Sequence, residues 1–208
     1  MDKLDLAKQY KSYYTAKSMP EYVLLDEPVP YLSILGKGDP SGPGFAADIQ
    51  ALYTTAYTLK FKYKAEGRDY VVAKLEGLWW YDEAAFEGLS IKEASVKVPR
   101  SEWNYRLLIR LPEYVDGLFM EQMKHGLAAE KANPRIIDVT YFTLTEGKCV
   151  QMMHIGPFDK EPETLEVMKS FMDAEKLDRN GLHHEIYLSD FRKSAPGKLR
   201  TILREPVK

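Results

Sequence analysis

The segment LRTILREP, residues 199–206, echoes YRLLIRLP, residues 105–112. Both carry an arginine, an aliphatic residue, a second arginine and a proline at one spacing, ninety-four positions apart. Each reads as a strand that closes a unit. A second echo, LGKGD (35–39) against IGPFD (155–159), shares the Gly and Asp at an offset of 120. The two offsets differ because the loop after Trp80 is longer than the loop after Asp190. A chain with such echoes invites reading as a duplication.

Outward from these segments the same order of elements occurs twice. YLSILGKG alternates as a strand and stops at the turn DPSGPG. A helix from about Phe45 follows, with Phe45, Ile49, Leu52, Tyr53, Ala56 and Tyr63 on one stripe. YVVAKLEGLWW (70–80) and WNYRLLIRL (103–111) are the next strands, separated by a polar excursion. In the second half CVQMMHIG is the strand and EPETLEVMKSFMDAEKL the helix, with Leu165, Met168, Phe171 and Met172 inward. HHEIYLSDF and KLRTILREP close the unit around RKSAPG. Between the halves, Pro112 is placed to open a linking helix over 112–132, which ends before Asn133-Pro134. DVTYFTLT and CVQMMHIG flank TEGK as a hairpin.

The expectation is an α+β fold of duplicated βαββ units with pseudo-twofold symmetry, antiparallel sheets with helices on one side, and a central ligand cleft. Repeat one spans about 31–111 and repeat two about 138–206. Residues 1–30 supply a short helix (4–16) and a Pro-punctuated connector. Pairing two such units covers their apolar faces and leaves a cleft where the sheets meet, with helices shielding the outside.

Composition narrows the function classes. The chain has 208 residues, 45% of them hydrophobic and 29% charged, with a net charge of −2. That balance provides no basic stripe for phosphates, so a nucleic-acid partner is not expected. The charged N-terminus MDKLDLAKQYKSYY has no apolar core of a secretory signal, and no apolar run nears the roughly 18 residues of a spanning helix. No membrane association is expected. One cysteine, Cys149, excludes an internal disulfide and fits a cytoplasmic setting. Fourteen tyrosines, eight phenylalanines and three tryptophans supply much flat surface, most of it core and part of it available to a ligand.

Several strings fail as motifs. LGKGDPSGPGF lacks the spacing of a phosphate loop, and Ser41 breaks a G-x-G-x-x-G reading. His183, His184 and Glu185 are adjacent on a strand, so at most one histidine shares a face with Glu185. No metal and no cofactor is expected. Cys149 and His154 differ in strand parity and have no third, orienting group, so a buried structural cysteine is the better reading. Alternation on GLHHEIYLSDF places His183, Glu185, Tyr187 and Ser189 on one face. Glu185 is then either a solvated rim carboxylate or a fixed charge among rings, able to hold a planar cation or to act as general acid or base.

The leader LDLAKQYKSYYTAKSMPEYVLLDEPV, YLSILGKGDPSGPGF, the LWW strand end and HHEIYLSDFRKSAPGKLRTILREPV together resemble the GyrI-like (DNA-gyrase-inhibitor-like) small-molecule-binding family. GKGDP and the YLSD and KLRT strings are the specific parts. The resemblance covers nearly the whole chain. It implies the duplicated βαββ fold and a central cleft whose carboxylate, matched here by Glu185, meets cationic or aromatic drugs. No helix-turn-helix segment precedes the domain, so a standalone member is expected. The resemblance extends to a subfamily that hydrolyses cyclopropane-bearing DNA-alkylating compounds within an aromatic cage. On that reading Glu185 is the catalytic residue, and Trp79, Trp80, Trp103, Tyr187 and His154 are the ligand-binding candidates. The partners are planar aromatic or cationic small molecules. The alternatives are a cleft that sequesters such molecules without turnover, or a surface that binds gyrase or another protein.

Overall fold

The computed structural model describes residues 3–89 and 91–208, so Met1, Asp2 and Ser90 lie outside the described residues. The strands are β1 (Glu21–Leu25), β2 (Val29–Lys37), β3 (Leu75–Trp80), β4 (Asn104–Arg110), β5 (Thr140–Leu144), β6 (Gly147–Ile155), β7 (His183–Tyr187) and β8 (Arg200–Pro206). The helices are α1 (Leu6–Gln9), α2 (Pro43–Ala65), α3 (Ile91–Lys97), α4 (Gly117–Glu130) and α5 (Glu161–Ala174).

All eight strands form one antiparallel sheet in the order β1-β6-β8-β7-β3-β4-β2-β5. Exchanging each strand of the first half with its counterpart in the second (β1 with β5, β2 with β6, β3 with β7, β4 with β8) gives the same order reversed. That is a pseudo-twofold, and its axis falls at the β3–β7 junction. Both sequence echoes obey it. Arg106 faces Leu35 across β2, and Arg200 faces Ile155 across β6. The units therefore join edge to edge into one continuous sheet.

Three expectations need correction. TEGK does not close a hairpin, because β5 pairs with β2 while β6 pairs with β1 and β8. Each half lends its leading strand to the outer edge of the other, which covers two edges that would otherwise be exposed. EYVLL, expected as connector, is that lent strand β1. The linking helix starts later than Pro112, where the Asp116 side chain caps it by accepting from the Leu118 amide at 2.8 Å. A side-chain cap satisfies a free helix amide, which a proline cannot do. The strand expected over 70–80 is shorter, with Tyr70 bridging to Leu4 of the leader, and the expected helix over 4–16 contracts to α1.

The helices do not shield the outside; α2 and α5 sit on one face of the sheet and flank its middle. From α2, Leu52, Ala56 and Leu59 are fully buried against Leu32, Ile34, Leu107 and Ile109. From α5, Leu165, Met168 and Met172 pack on Val150, Leu203 and Val207. Each such side chain taken from water contributes about 1.5–3 kcal/mol. The gap between the two helices, over β3 and β7, is the cleft.

The leader seals the opposite face. Tyr13 lies between the guanidinium groups of Arg110 and Arg204, 4.8 and 4.5 Å from its ring centre, and these arginines are counterparts in the first echo. Its hydroxyl lies 2.5 Å from Glu76 and 2.6 Å from the Tyr31 hydroxyl. His184 bridges Glu76 (3.0 Å) and Glu146 (2.8 Å), and Arg204 donates to Glu146 and Gln151. Burial disfavours the charged His184 ring, but the Glu146 and Glu76 carboxylates outweigh it and raise its pKa. Against the opposing effect of burial, His184 and Arg204 hold Glu146 down to about 2. Paired in this way, buried charges are tolerated. They also pin the back of the strands whose other face forms the cleft floor.

Candidate functional site

The cleft is a cavity of about 1170 Å³, slightly above the size range typical of small-molecule sites. Its floor is the central face of β3 and β7, carrying Trp79, His183, Glu185 and Tyr187. One wall comes from the start of α2 with Phe45, the other from the start of α5 with Glu161 and Leu165. The chain between β3 and β4 leads over the cavity, where α3 packs against α5 and Val98, Arg100 and Trp103 reach the lining.

Alternation does the positioning. Gly77 pairs with Glu185 and Trp79 with His183, so these four share the cavity face. His184 points to the back, as a period of two requires. The pseudo-twofold is broken at the chemistry. Leu75 faces Ile109 as Glu185 faces Leu203, and Gly77 faces Leu107 as Tyr187 faces Thr201. The duplicated frame therefore offers two equivalent positions of each kind. Only one holds a carboxylate, and only one a phenol.

Glu185 is held by a short relay. Trp79 Nε1–H donates to the Tyr187 hydroxyl oxygen at 3.0 Å, and that hydroxyl donates to Glu185 Oε2 at 2.6 Å. A Cβ at Gly77 would stand 2.8 Å from Trp79 Nε1 and 3.2 Å from the Tyr187 oxygen, so the glycine makes room for the relay. Trp79 stacks on Phe45 at 5.8 Å and lies 5.5 Å from Tyr105. Burial and the Glu185 charge push the Tyr187 phenol well above its usual range, so it remains a donor.

His183 lies between two carboxylates, with Nδ1 2.7 Å from Glu205 and Nε2 3.3 Å from Glu185 Oε1. Burial opposes its charge, but Glu205 and Glu185 prevail and raise it to about 10. Arg179 completes the chain on Glu205 at 3.1 Å. Thus Glu185 shares its only contacting cation with a second acid, and its side chain is 13% exposed toward the cavity. Glu161 is also buried in the wall, and its Oε1 has no hydrogen-bond partner. Burial first, then the Glu185 charge, raise its pKa well above the ordinary carboxyl range.

The structure brings Trp79, Trp80, Trp103, Glu185 and Tyr187 to one cavity. Trp79 and Trp80 do not divide between core and cleft. Trp79 packs under α2 and lines the cavity at once, and half-buried Trp80 reaches its lining as well. Trp103 donates from Nε1 to the Val98 carbonyl at 3.3 Å and meets Tyr81 edge-on. His154 is elsewhere: its buried ring bonds Thr164 at 2.8 Å and the Pro157 carbonyl at 3.2 Å, tying β6 to the start of α5. Cys149 is buried, and burial pushes its thiol up to about 12. Sequence reasoning missed Glu161, Phe45 and the pairing of His183 with Glu205. Their only signal is position near a helix start or a strand end, which gains meaning once the two units are docked.

A family model described as GyrI-like small molecule binding domain matches residues 22–208. Among solved structures, an uncharacterized conserved protein from Listeria innocua is 36% identical, with a TM-score of 0.86 over 99% of this chain and 100% of that one. A protein described as a hydrolase from Listeria innocua is also 36% identical, with a TM-score of 0.83 over 99% of this chain and 100% of its own. The EcmrR C-terminal domain, 10% identical, shares the fold with a TM-score of 0.53 over 93% of this chain and 98% of that domain. No curated protein sequence matches. Among the described residues no helix is long and apolar enough to cross a membrane.

Proposed function

This chain belongs to the family of GyrI-like small-molecule-binding domains, and we propose that its cleft takes planar aromatic, often cationic, xenobiotics and hydrolyses those bearing a strained cyclopropane. The observation that carries the reading is Glu185, held by Tyr187 at 2.6 Å on the floor of a slot walled by rings. A flat ligand stacks between such walls, and a carboxylate there attracts a cation or a developing positive centre. Ring strain already lies in the substrate, so the protein needs only to orient the ligand and a water molecule. Water attacks the cyclopropane methylene, and Glu185 takes its proton as general base. Turnover is favoured over sequestration by the Listeria innocua protein described as a hydrolase, which is 36% identical across the whole fold.

The test is turnover of a cyclopropane-bearing planar alkylator. The wild type is expected to release more than one equivalent of ring-opened alcohol per protein. Loss of a general base typically costs 10²–10⁴-fold, so Glu185→Gln is expected to slow product release by about 100-fold or more. A variant that works at the wild-type rate removes Glu185 from the chemistry. Stoichiometric binding without product leaves the cleft a sequestration site.

A further inference from the structure

We infer that Glu161 is a second working carboxyl of the cleft, carried as the neutral acid and donating a hydrogen bond to a carbonyl oxygen of the bound ring system, so that the preferred ligands are planar conjugated ketones. The inference rests on the cleft being the ligand site. It begins from an anomaly. Glu76, Glu146 and Glu205 are equally buried, and each is matched by arginine, histidine or tyrosine partners. Among the described residues no other glutamate carries a buried oxygen without a partner. A buried polar atom left unpaired costs about 1–3 kcal/mol. Glu161 lies in the wall of the one large cavity, where a ligand supplies the missing partner.

The neighbours decide its protonation. From β7 it meets the Glu185 charge, offset in part by His183; from β8 the Thr201 hydroxyl reaches it; from the chain after α3 comes the more distant charge of Arg100. Glu205, also on β8, is already engaged by His183 and Arg179. Burial and Glu185 outweigh the groups that favour the anion, so the proton stays on Glu161. Two acids in one cleft with opposite protonation are equipped to give and to take a proton.

In ring opening, the Glu161 proton passes to the ketone oxygen as the cyclopropane C–C bond breaks and its electron pair moves through the ring to that oxygen. Water's oxygen bonds to the released methylene carbon, and its proton passes to Glu185. One water is consumed, the ketone becomes a phenol, and the carboxyls exchange protonation. Bulk water resets them after product leaves.

Fluorescence titration with acridone (flat, neutral, one carbonyl) and proflavine (flat, cationic) separates the roles. Glu161→Leu is expected to weaken acridone about tenfold or more and to leave proflavine within about twofold, because a neutral acid contributes no charge. Glu161→Gln keeps an N–H donor and is expected to hold acridone within about threefold. Wild-type acridone affinity should fall as pH rises and Glu161 ionises, and in Glu161→Gln it should stay flat. Thermal melts check folding; if the leucine variant does not fold, the glutamine variant and the wild-type pH series decide. Unchanged acridone binding in Glu161→Leu, equal weakening of both dyes, or a pH dependence that survives in Glu161→Gln overturns the inference. Wild type that binds proflavine but not acridone defeats this inference alone, whereas wild type that binds neither defeats the cleft reading as well.

Discussion

Gly77→Ala tests the relay that orients Glu185 without touching a charged group. Gly77 does not have a positive φ, so alanine is not barred by the backbone. The obstacle is purely steric: the new Cβ falls 2.8 Å from Trp79 Nε1 and 3.4 Å from Trp79 Cε2. The indole cannot simply retreat, because Phe45 and Tyr105 hold its far side. Overpacking of this kind costs about 1–3 kcal/mol, and the entropy removed from the unfolded chain returns about 0.4–1 kcal/mol. The net loss of about 1–2 kcal/mol corresponds to a fall of about 3–6 °C in Tm for a chain of this length. The more telling readout is binding. Once Trp79 Nε1–H is pushed off Tyr187, Glu185 loses the support that fixes its direction, and proflavine affinity should drop about five- to tenfold. Gly126→Ala is the control: it is exposed in α4, its Cβ would meet nothing within 4 Å, and it should gain about 1 kcal/mol. Gly77→Ala with wild-type Tm and wild-type proflavine affinity would refute the relay.

The buried charges predict a domed pH profile of stability in urea melts. Glu146, held at about 2, contributes about 3 kcal/mol that is complete above the ordinary glutamate range and is lost as pH falls from about 5 toward 2. His184 and His183 are both raised, His183 to about 10; their contributions are complete below the ordinary histidine range and disappear as pH rises through the folded values. His184→Gln should therefore flatten the alkaline side, and an unaltered dome would show that the ring carries no charge. The Cys149 thiol, pushed up to about 12, should resist a thiol-specific disulfide reagent at pH 8 in the native protein and react fully in urea; rapid native labelling would place it in contact with solvent.

What the sequence made legible follows from local patterns. The arginine-framed echo revealed the duplication because Arg110 and Arg204 hold equivalent places beside the same tyrosine ring on the sheet's back. Alternation alone separated His183 from His184, since the period of a strand admits no other outcome. The exchange of leading strands was invisible: EYVLL and TYFTL are ordinary short β runs, and nothing within either says that its partner lies in the other half. The start of α4 was misplaced because proline was weighed and the Asp116 cap was not.

The site divides along the same line. Glu185 could be found because its character is set by its own strand, while Glu161 acquires its character only from a neighbour twenty-four positions away and from burial between two docked units. This division follows from duplication. A doubled βαββ frame provides two equivalent floors, and a single binding chemistry requires that they differ. Here Leu75 stands where the other half has Glu185, and Gly77 where it has Tyr187. The small residue of one half vacates the volume that the phenol of the other half occupies, so carboxylate, phenol and indole meet at the centre rather than in two half-strength copies. Had both halves kept a glutamate, two like charges would share one slot and burial would hold one of them protonated. The second acid comes instead from the α5 wall, where it faces the ligand from the side and leaves the floor flat enough for a ring to stack.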